Sequence, residues 1–248
     1  MRKIYILWFR QIKRYLRSRS RIVGSLGQPI LFLVALGYGL GSVFQKAGEG
    51  NYLAFLAPGV IGMSIIFTAI FSGIEIIWDR QFGFLKETLV APISRFNIML
   101  GRTLGGATVA TFQGIIVLFI SFVFGFRPQN YFSIITILPF MFLVALIFTA
   151  LGTAIASRLE DMQGFQLIMN FLVMPLFFLS GALFPLDGLP KALSIVAALD
   201  PLSYGIDAFR ALLINSSHYG LGVDIITLSA IAILFLIIGS FLFSEIEA

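Results

Sequence analysis

Cysteine is absent from the 248 residues and histidine occurs once. The first absence removes disulfides, thiolate metal sites, thiol nucleophiles and S-acylation, and the second leaves no multi-histidine metal site within one chain. Charge is scarce as well. Asp, Glu, Lys and Arg together make up 12% of the chain, about half of what a soluble domain uses to cover its surface. Apolar residues account for 58%, with 24 Gly besides, so the chain is neither a soluble globule nor a disordered polymer. The phosphate-binding motif G-x-x-x-x-G-K-[ST] is missing too; Gly101-Arg102-Thr103-Leu104-Gly105-Gly106 is glycine-rich but lacks the lysine step. What remains is an all-α membrane protein.

Charge-poor stretches long enough to cross a bilayer predict six transmembrane helices, near 22–44, 54–77, 98–126, 133–157, 164–186 and 222–244, within one transmembrane domain over 1–248. None shows the two-residue alternation of a barrel strand, and backbone in lipid must satisfy its own hydrogen bonds, which leaves helices. The net charge of +5 does not indicate nucleic acid, because eight of the seventeen basic residues lie between Arg2 and Arg21 rather than over a folded face. Counted by alternate segments, thirteen basic residues fall on one side, against Lys46, Arg127, Lys191 and Arg210 on the other. That bias puts both termini in the cytoplasm of a multi-pass cell-membrane protein. Tyr52, Tyr131 and Tyr219 read as outer anchors and Trp78 as an inner one.

Residues 2–19 form an amphipathic helix on the 3.6-residue period. Its basic arc includes Arg10, Lys13, Arg14 and Arg17, opposite Ile4, Leu7, Trp8, Ile12 and Leu16. Such a helix lies in the headgroup plane of an anionic surface.

Few residues invite chemistry. Ser180 and His218 could form a dyad of a membrane-embedded hydrolase, but Ser180 lies in an apolar run. An ion-coupled carrier would need ionisable residues or broken helices at mid-membrane; the charge-free stretches 22–44, 54–74, 104–126, 133–157, 164–186 and 225–244 offer none, and Pro29, Pro139 and Pro175 supply only kinks. Glu75 and Asp79, one turn apart, read as solvated.

Two extramembrane segments look specified. The first, 79–97, mixes Phe82, Phe84, Leu85, Lys86, Glu87, Leu89 and Arg95 and is closed by Pro92, which suits a short docking helix. The second, 187–215, holds two apolar pieces too short to cross, split by Pro201 with Asp200 as N-cap. With Phe184 before it, this re-entrant hairpin gathers Leu189, Leu193, Leu202, Tyr204 and Phe209 as a candidate outer gate, and Asp207 and Arg210 share a face as a candidate ion pair. Gln113, Gln166 and Asn170 are the amides that could face a pathway, although contacts between helices are their commoner use.

The chain resembles the permease subunits of type-2 ABC exporters, which handle drugs, lipids, lipo-oligosaccharides and polysaccharides. The resemblance rests on Leu56-Ala57-Pro58-Gly59, on Lys86 to Arg95 followed by Gly101-Arg102, on Leu179 to Pro185 and on Pro201 to Arg210. It implies an N-terminal interface helix, a cytoplasmic coupling helix and two outer re-entrant helices. It also implies pairing of two copies, a homodimer, and ATP and Mg on a separate ATP-binding cassette subunit, with no cofactor on this chain. Phe rather than Tyr or Trp dominates the spans, which favours a hydrophobic or amphipathic cargo; a polysaccharide or glycolipid exporter is the alternative.

Overall fold

The computed structural model describes residues 2–41, 44, 51–90 and 92–245, apart from the Leu89 side chain. Lys46, used in the orientation count, lies outside the described residues. Among the described residues there are helices and no strand. In chain order they are α1 (Arg2–Arg17), α2 (Arg19–Gly39), α3 (Tyr52–Phe71), α4 (Ile74–Gln81), α5 (Phe84–Val90) and α6 (Arg95–Val123). There follow α7 (Ser133–Thr136), α8 (Leu138–Arg158), α9 (Met162–Leu179), α10 (Lys191–Leu199), α11 (Pro201–Ile214) and α12 (Leu221–Ser244). Among the described residues, six helical stretches are long and apolar enough to cross a membrane: α2, α3 with α4, α6, α7 with α8, α9 and α12.

Local signals set the ends. Asn51 caps α3 by accepting from the Leu53 N–H at 3.0 Å, Ser94 caps α6 by accepting from Asn97, and Asp161 caps α9 by accepting from Gly164 at 2.7 Å. Ser18 is the single residue between α1 and α2 and leaves the helical region, so the N-terminal helix meets the first span at an elbow. The fifth span ends at Leu179, not near 186. Gly181 takes a φ of 76° and Gly188 one of 79°, and with Pro185 and Pro190 they turn 180–190 into a loop.

The core is built on α3, the most buried span, wrapped by α2, α6, α8 and α11, with α12 on α8 and α6. Among the close approaches that require glycine, two shape the helices around the site. A Cβ on Gly73 would lie 2.4 Å from the Gly152 carbonyl oxygen, and one on Gly152 would lie 2.5 Å from that of Ile70, so the α3–α4 junction crosses α8 backbone to backbone. The Gly101-x-x-x-Gly105 pair serves α1 in the same way. A Cβ on Gly105 would sit 2.7 Å from the Gln11 Cβ and 3.2 Å from the Trp8 oxygen, and one on Gly101 would sit 2.9 Å from the Leu7 Cβ. This groove lets α1 lie on α6 with Leu7 and Tyr15 buried and Trp8 donating to Thr108 at 3.0 Å.

Candidate functional site: a charge cluster at one end and a buried hairpin at the other

At the end that carries Arg2 and Glu245, four helices converge on two carboxylates. Asp79 of α4, 1% exposed, accepts from Arg102 of α6 at 2.5 Å and lies 3.6 Å from both Arg10 and Arg14 of α1. Glu75 accepts from Arg21 of α2 at 2.6 Å and from Arg14 at 3.4 Å. Neither acid is solvated, contrary to the sequence expectation, because the basic face of α1 is folded over them. Arg10 and Arg14 therefore bind protein carboxylates, while Lys13 and Arg17 stay exposed. Arg102, 4% exposed, is an ionisable residue inside a span, and only Asp79 makes that burial tolerable. The neighbouring Arg80 donates to the Ser157 and Leu159 carbonyls at 2.9 and 3.1 Å, closing the end of α8.

The segment expected to dock a partner divides into unlike parts. Asp79 to Gln81 belong to α4 and Arg95 opens α6, so the short helix is α5 alone. Phe82, Phe84 and Val90 are 66%, 50% and 84% exposed, beside exposed Lys86 and Glu87. Leu85 corrects the expected set: at 2% exposure it is a core anchor, turned inward by the short turn at Phe82-Gly83. Arg95 donates to the Ser244 carbonyl at 2.8 Å, and Lys3 donates to the Pro92 carbonyl, which ties both chain ends to this segment. The Leu89 side chain lies outside the described residues.

At the opposite end, α10 and α11 bend by 87° at Asp200, which caps α11 by accepting from Leu202 at 2.9 Å. Burial pushes the Asp200 carboxyl up to about 7, against the lowering by that cap. Leu202 and Phe209 correct the expected gate: both are fully buried within this chain, because α11 packs on α3 and α8. Phe184, Leu189 and Tyr204 are half-buried and Leu193 is exposed, so of the expected gate residues only these reach an outward face, which α10 extends with exposed Ile195, Val196 and Leu199. Tyr204 donates to the Ala198 carbonyl at 2.8 Å and stacks on Tyr219 at 4.7 Å.

Asp207 and Arg210 do not pair with one another either. Asp207 accepts from the His218, Tyr219 and Gly220 N–H groups at 2.6, 2.8 and 3.3 Å and from the Ser217 hydroxyl. Arg210 donates to the Gly181 and Ala182 carbonyls at 2.7 and 3.2 Å and covers the Phe55 ring at 3.7 Å. Each charge pins a different loop. Burial lowers the Arg210 guanidinium to about 10 and raises the Tyr219 hydroxyl to about 12. The Asp224 carboxyl, fully buried in the first turn of α12, meets no hydrogen-bond donor among the described residues and lies beside the Asp207 carboxyl. It is a second ionisable group inside a span that the charge-free stretches did not reveal.

The hydrolase geometry is not formed. Ser180 donates to the Phe177 carbonyl at 2.8 Å, His218 pairs with Asp187 at 2.7 Å, and no hydrogen bond joins Ser180 to His218 among the described residues. The three amides do not make one site. Gln113 is buried beneath α1 and accepts from the Tyr15 hydroxyl, whereas Gln166 and Asn170 are exposed on α9.

A permease architecture accounts for six spans, an elbow laid on the third of them and a hairpin whose second arm is buried and which carries no catalytic pair among the described residues. The chain belongs to the ABC-2 type transporter family, whose model matches residues 2–214. It is therefore a transport permease of the membrane. A putative transport permease, ycf38, of Cyanophora paradoxa is 30% identical over 88% of this chain and 76% of its own length. Nodulation protein J of Rhizobium leguminosarum bv. viciae is 28% identical over 84% of this chain and 78% of its own. Nodulation protein J of Rhizobium meliloti is 26% identical over 95% and 88%.

Proposed function

We propose that the chain is the membrane-spanning subunit of an ATP-driven exporter, moving a hydrophobic or amphipathic molecule such as a drug, lipid or lipid-linked glycan out of the cytoplasm or inner leaflet. Two copies pair as a homodimer, and a separate ATP-binding cassette subunit holds ATP and Mg; this chain carries no cofactor. Both termini face the cytoplasm, a sidedness supported by the concentration of basic residues at the end that holds them.

One observation carries this reading. The helix α5 presents Phe84 and Val90 to its surroundings, with Phe82 of the preceding turn, beside Lys86 and Glu87, at the same end as the termini. An apolar knob with a charged rim is costly to leave in water and suits a groove on a partner. Asp79 and Glu75 lie on α4, the helix joined to α5 by the Phe82-Gly83 turn, and through four arginines they tie α4 to α1, α2 and α6. Movement of the docked helix therefore reaches three further helices through charge contacts.

With the complete complex in vesicles, a Phe82→Ala/Phe84→Ala/Val90→Ala variant should lose at least about tenfold in export and in substrate-stimulated ATP hydrolysis while the permease stays folded, as expected when anchors worth about 1–3 kcal/mol each are removed. Unchanged coupled hydrolysis would rule the docking role out.

A further inference from the structure

Two stripes of the same spacing face each other across a cleft between the elbow and the second span. On α2, Arg21, Gly24, Ser25 and Gln28 fall at positions i, i+3, i+4 and i+7, and on α3 so do Ser64, Phe67, Thr68 and Phe71. Together with Tyr15, Pro29 and Met63 they enclose about 240 Å³. Eight residues of α2 separate Arg21 from Pro29, so the cleft runs for about 12 Å from the arginine toward the middle of the span. Its walls are aromatic and aliphatic, with a few hydroxyl and amide groups spaced along them and a single cation at one end.

The charge around that end does not balance. Among the described residues, Arg10, Arg14, Arg21 and Arg102 stand against Glu75 and Asp79 alone, an excess of two positive charges. Arg21 gives Nη1 to Glu75, its guanidinium makes no further hydrogen bond among the described residues, and its side chain is 34% exposed. The Gln28 amide has only the weak acceptor Met63 Sδ at 3.9 Å, and the Thr68 hydroxyl has no hydrogen bond among the described residues. Three donors are thus open to an anion at the mouth and along the wall, ahead of an apolar interior.

We propose that this cleft binds one anionic amphiphile from the bilayer, a phosphate-bearing lipid whose headgroup sits at Arg21 and whose chain lies against Phe71, Phe67 and Pro29. The phosphate supplies the negative charge that Glu75 and Asp79 leave wanting and accepts from the Arg21 guanidinium and from Thr68. The volume takes a headgroup and the first part of one chain, so the remainder stays in the bilayer. The role as a loading site for cargo rests on the exporter reading; the binding itself does not, and it is measured without transport.

The absence of native cysteine makes the test clean. Gly24 is exposed and a Cβ there meets nothing within 4 Å, so Gly24→Cys carries a fluorescent label at the cleft, and Val34→Cys, exposed further along α2, serves as the comparison. The full chain in phosphatidylcholine nanodiscs is given brominated phosphatidylglycerol or brominated phosphatidylcholine as quencher. We expect saturable quenching by the anionic lipid at position 24, a linear background from the neutral lipid, and no preference at position 34. Arg21→Gln should raise the half-quenching fraction about tenfold, a loss of about 1.4 kcal/mol. Thr68→Leu should weaken it by filling the cleft, and Glu75→Gln, which frees Arg21, should lower it. Equal quenching by the two lipids, an equal preference at position 34, or Glu75→Gln and Thr68→Leu leaving the curve unmoved would overturn the proposal. Displacement of the lipid by inorganic phosphate would overturn the lipid assignment in favour of a free anion. No quenching by either lipid at position 24 would overturn it as well, since no lipid then reaches the cleft. Loss of export in a variant that keeps its lipid preference would count against the exporter reading alone.

Discussion

The two ends of the molecule bury charge in opposite ways. At the terminus-bearing end the partners of Asp79 and Glu75 are guanidiniums on three other helices, separated from them by 23 to 69 residues of chain. At the far end Asp207 and Arg210 lie on one helix and bind backbone: three N–H groups for the carboxylate, two loop carbonyls for the guanidinium. Side chains that meet across helices can part and re-form when the helices shift, while a charge locked into loop backbone moves with its loop as one body. The difference fits an end that takes up movement and an end that is held as a unit. It also separates what each end costs to disturb.

Asp79→Asn should have the largest effect. It leaves Arg102 buried without a countercharge, and breaking a buried pair from one side costs about 3–5 kcal/mol. The unfolding midpoint of the detergent-solubilised chain should fall accordingly, and Arg102→Met added to Asp79→Asn should recover most of the loss by removing the stranded cation. A neutral Asp79→Asn would dissolve the contrast between the ends, since the cluster would then be a solvated surface.

Next in size is a pH effect confined to the far end. The Asp200 carboxyl titrates near 7 in the folded hairpin because it is buried, and near the ordinary carboxylate value of about 4 when unfolded. Its folded value is raised, so its contribution is fully present below pH of about 4 and is lost as pH rises through about 7. Between those limits the slope is at most about 1.4 kcal/mol per pH unit. Protection of the α11 amides from hydrogen exchange should therefore fall as pH rises across this window, after correction for intrinsic exchange, and Asp200→Asn should flatten the dependence. An identical slope in Asp200→Asn would assign the effect to another group.

Much of this architecture was legible in the sequence, and the illegible parts share a cause. Hydrophobic runs located all six spans, the period of Arg2 to Arg17 gave the amphipathic helix, and Pro190, Pro201 and Asp200 marked the bent hairpin. Periodicity reports only which residues share a face of one helix. It placed Arg10 and Arg14 together without showing that α4 would bring Asp79 beneath them, so headgroups were the only visible partners. Spacing put Asp207 beside Arg210 but could not show loops 181–182 and 217–220 arriving to claim each. Leu85 and Phe84 are adjacent and equally apolar, and only the turn at Gly83, with a φ of 80°, decides which faces the core. The facing stripes of α2 and α3 did leave a signal, since both repeat polar residues at helical spacing inside apolar runs.

The smallest expected effect comes from an ion pair at the same end as the cluster. Arg158 and Glu245 pair with side chains 54% and 41% exposed, whereas the side chains of Asp79 and Arg102 are 2% and 3% exposed. In water the attraction is screened and competes with the entropy of two long side chains, so such a pair is worth about 0–1 kcal/mol. Arg158→Ala should lower the unfolding midpoint little. Raised salt should erase even that difference, because exposed charges are screened over about 10 Å at 0.1 M ionic strength. The Asp79–Arg102 contact should survive the same salt, both side chains being out of reach of the ions, whereas the half-exposed Arg10 and Arg14 are screened. A salt-sensitive Asp79–Arg102 contact and a salt-resistant Arg158 would reverse the assignment of which charges at this end are buried. The joint that carries movement would then have to be sought between the ends of α8 and α12 rather than beneath α1.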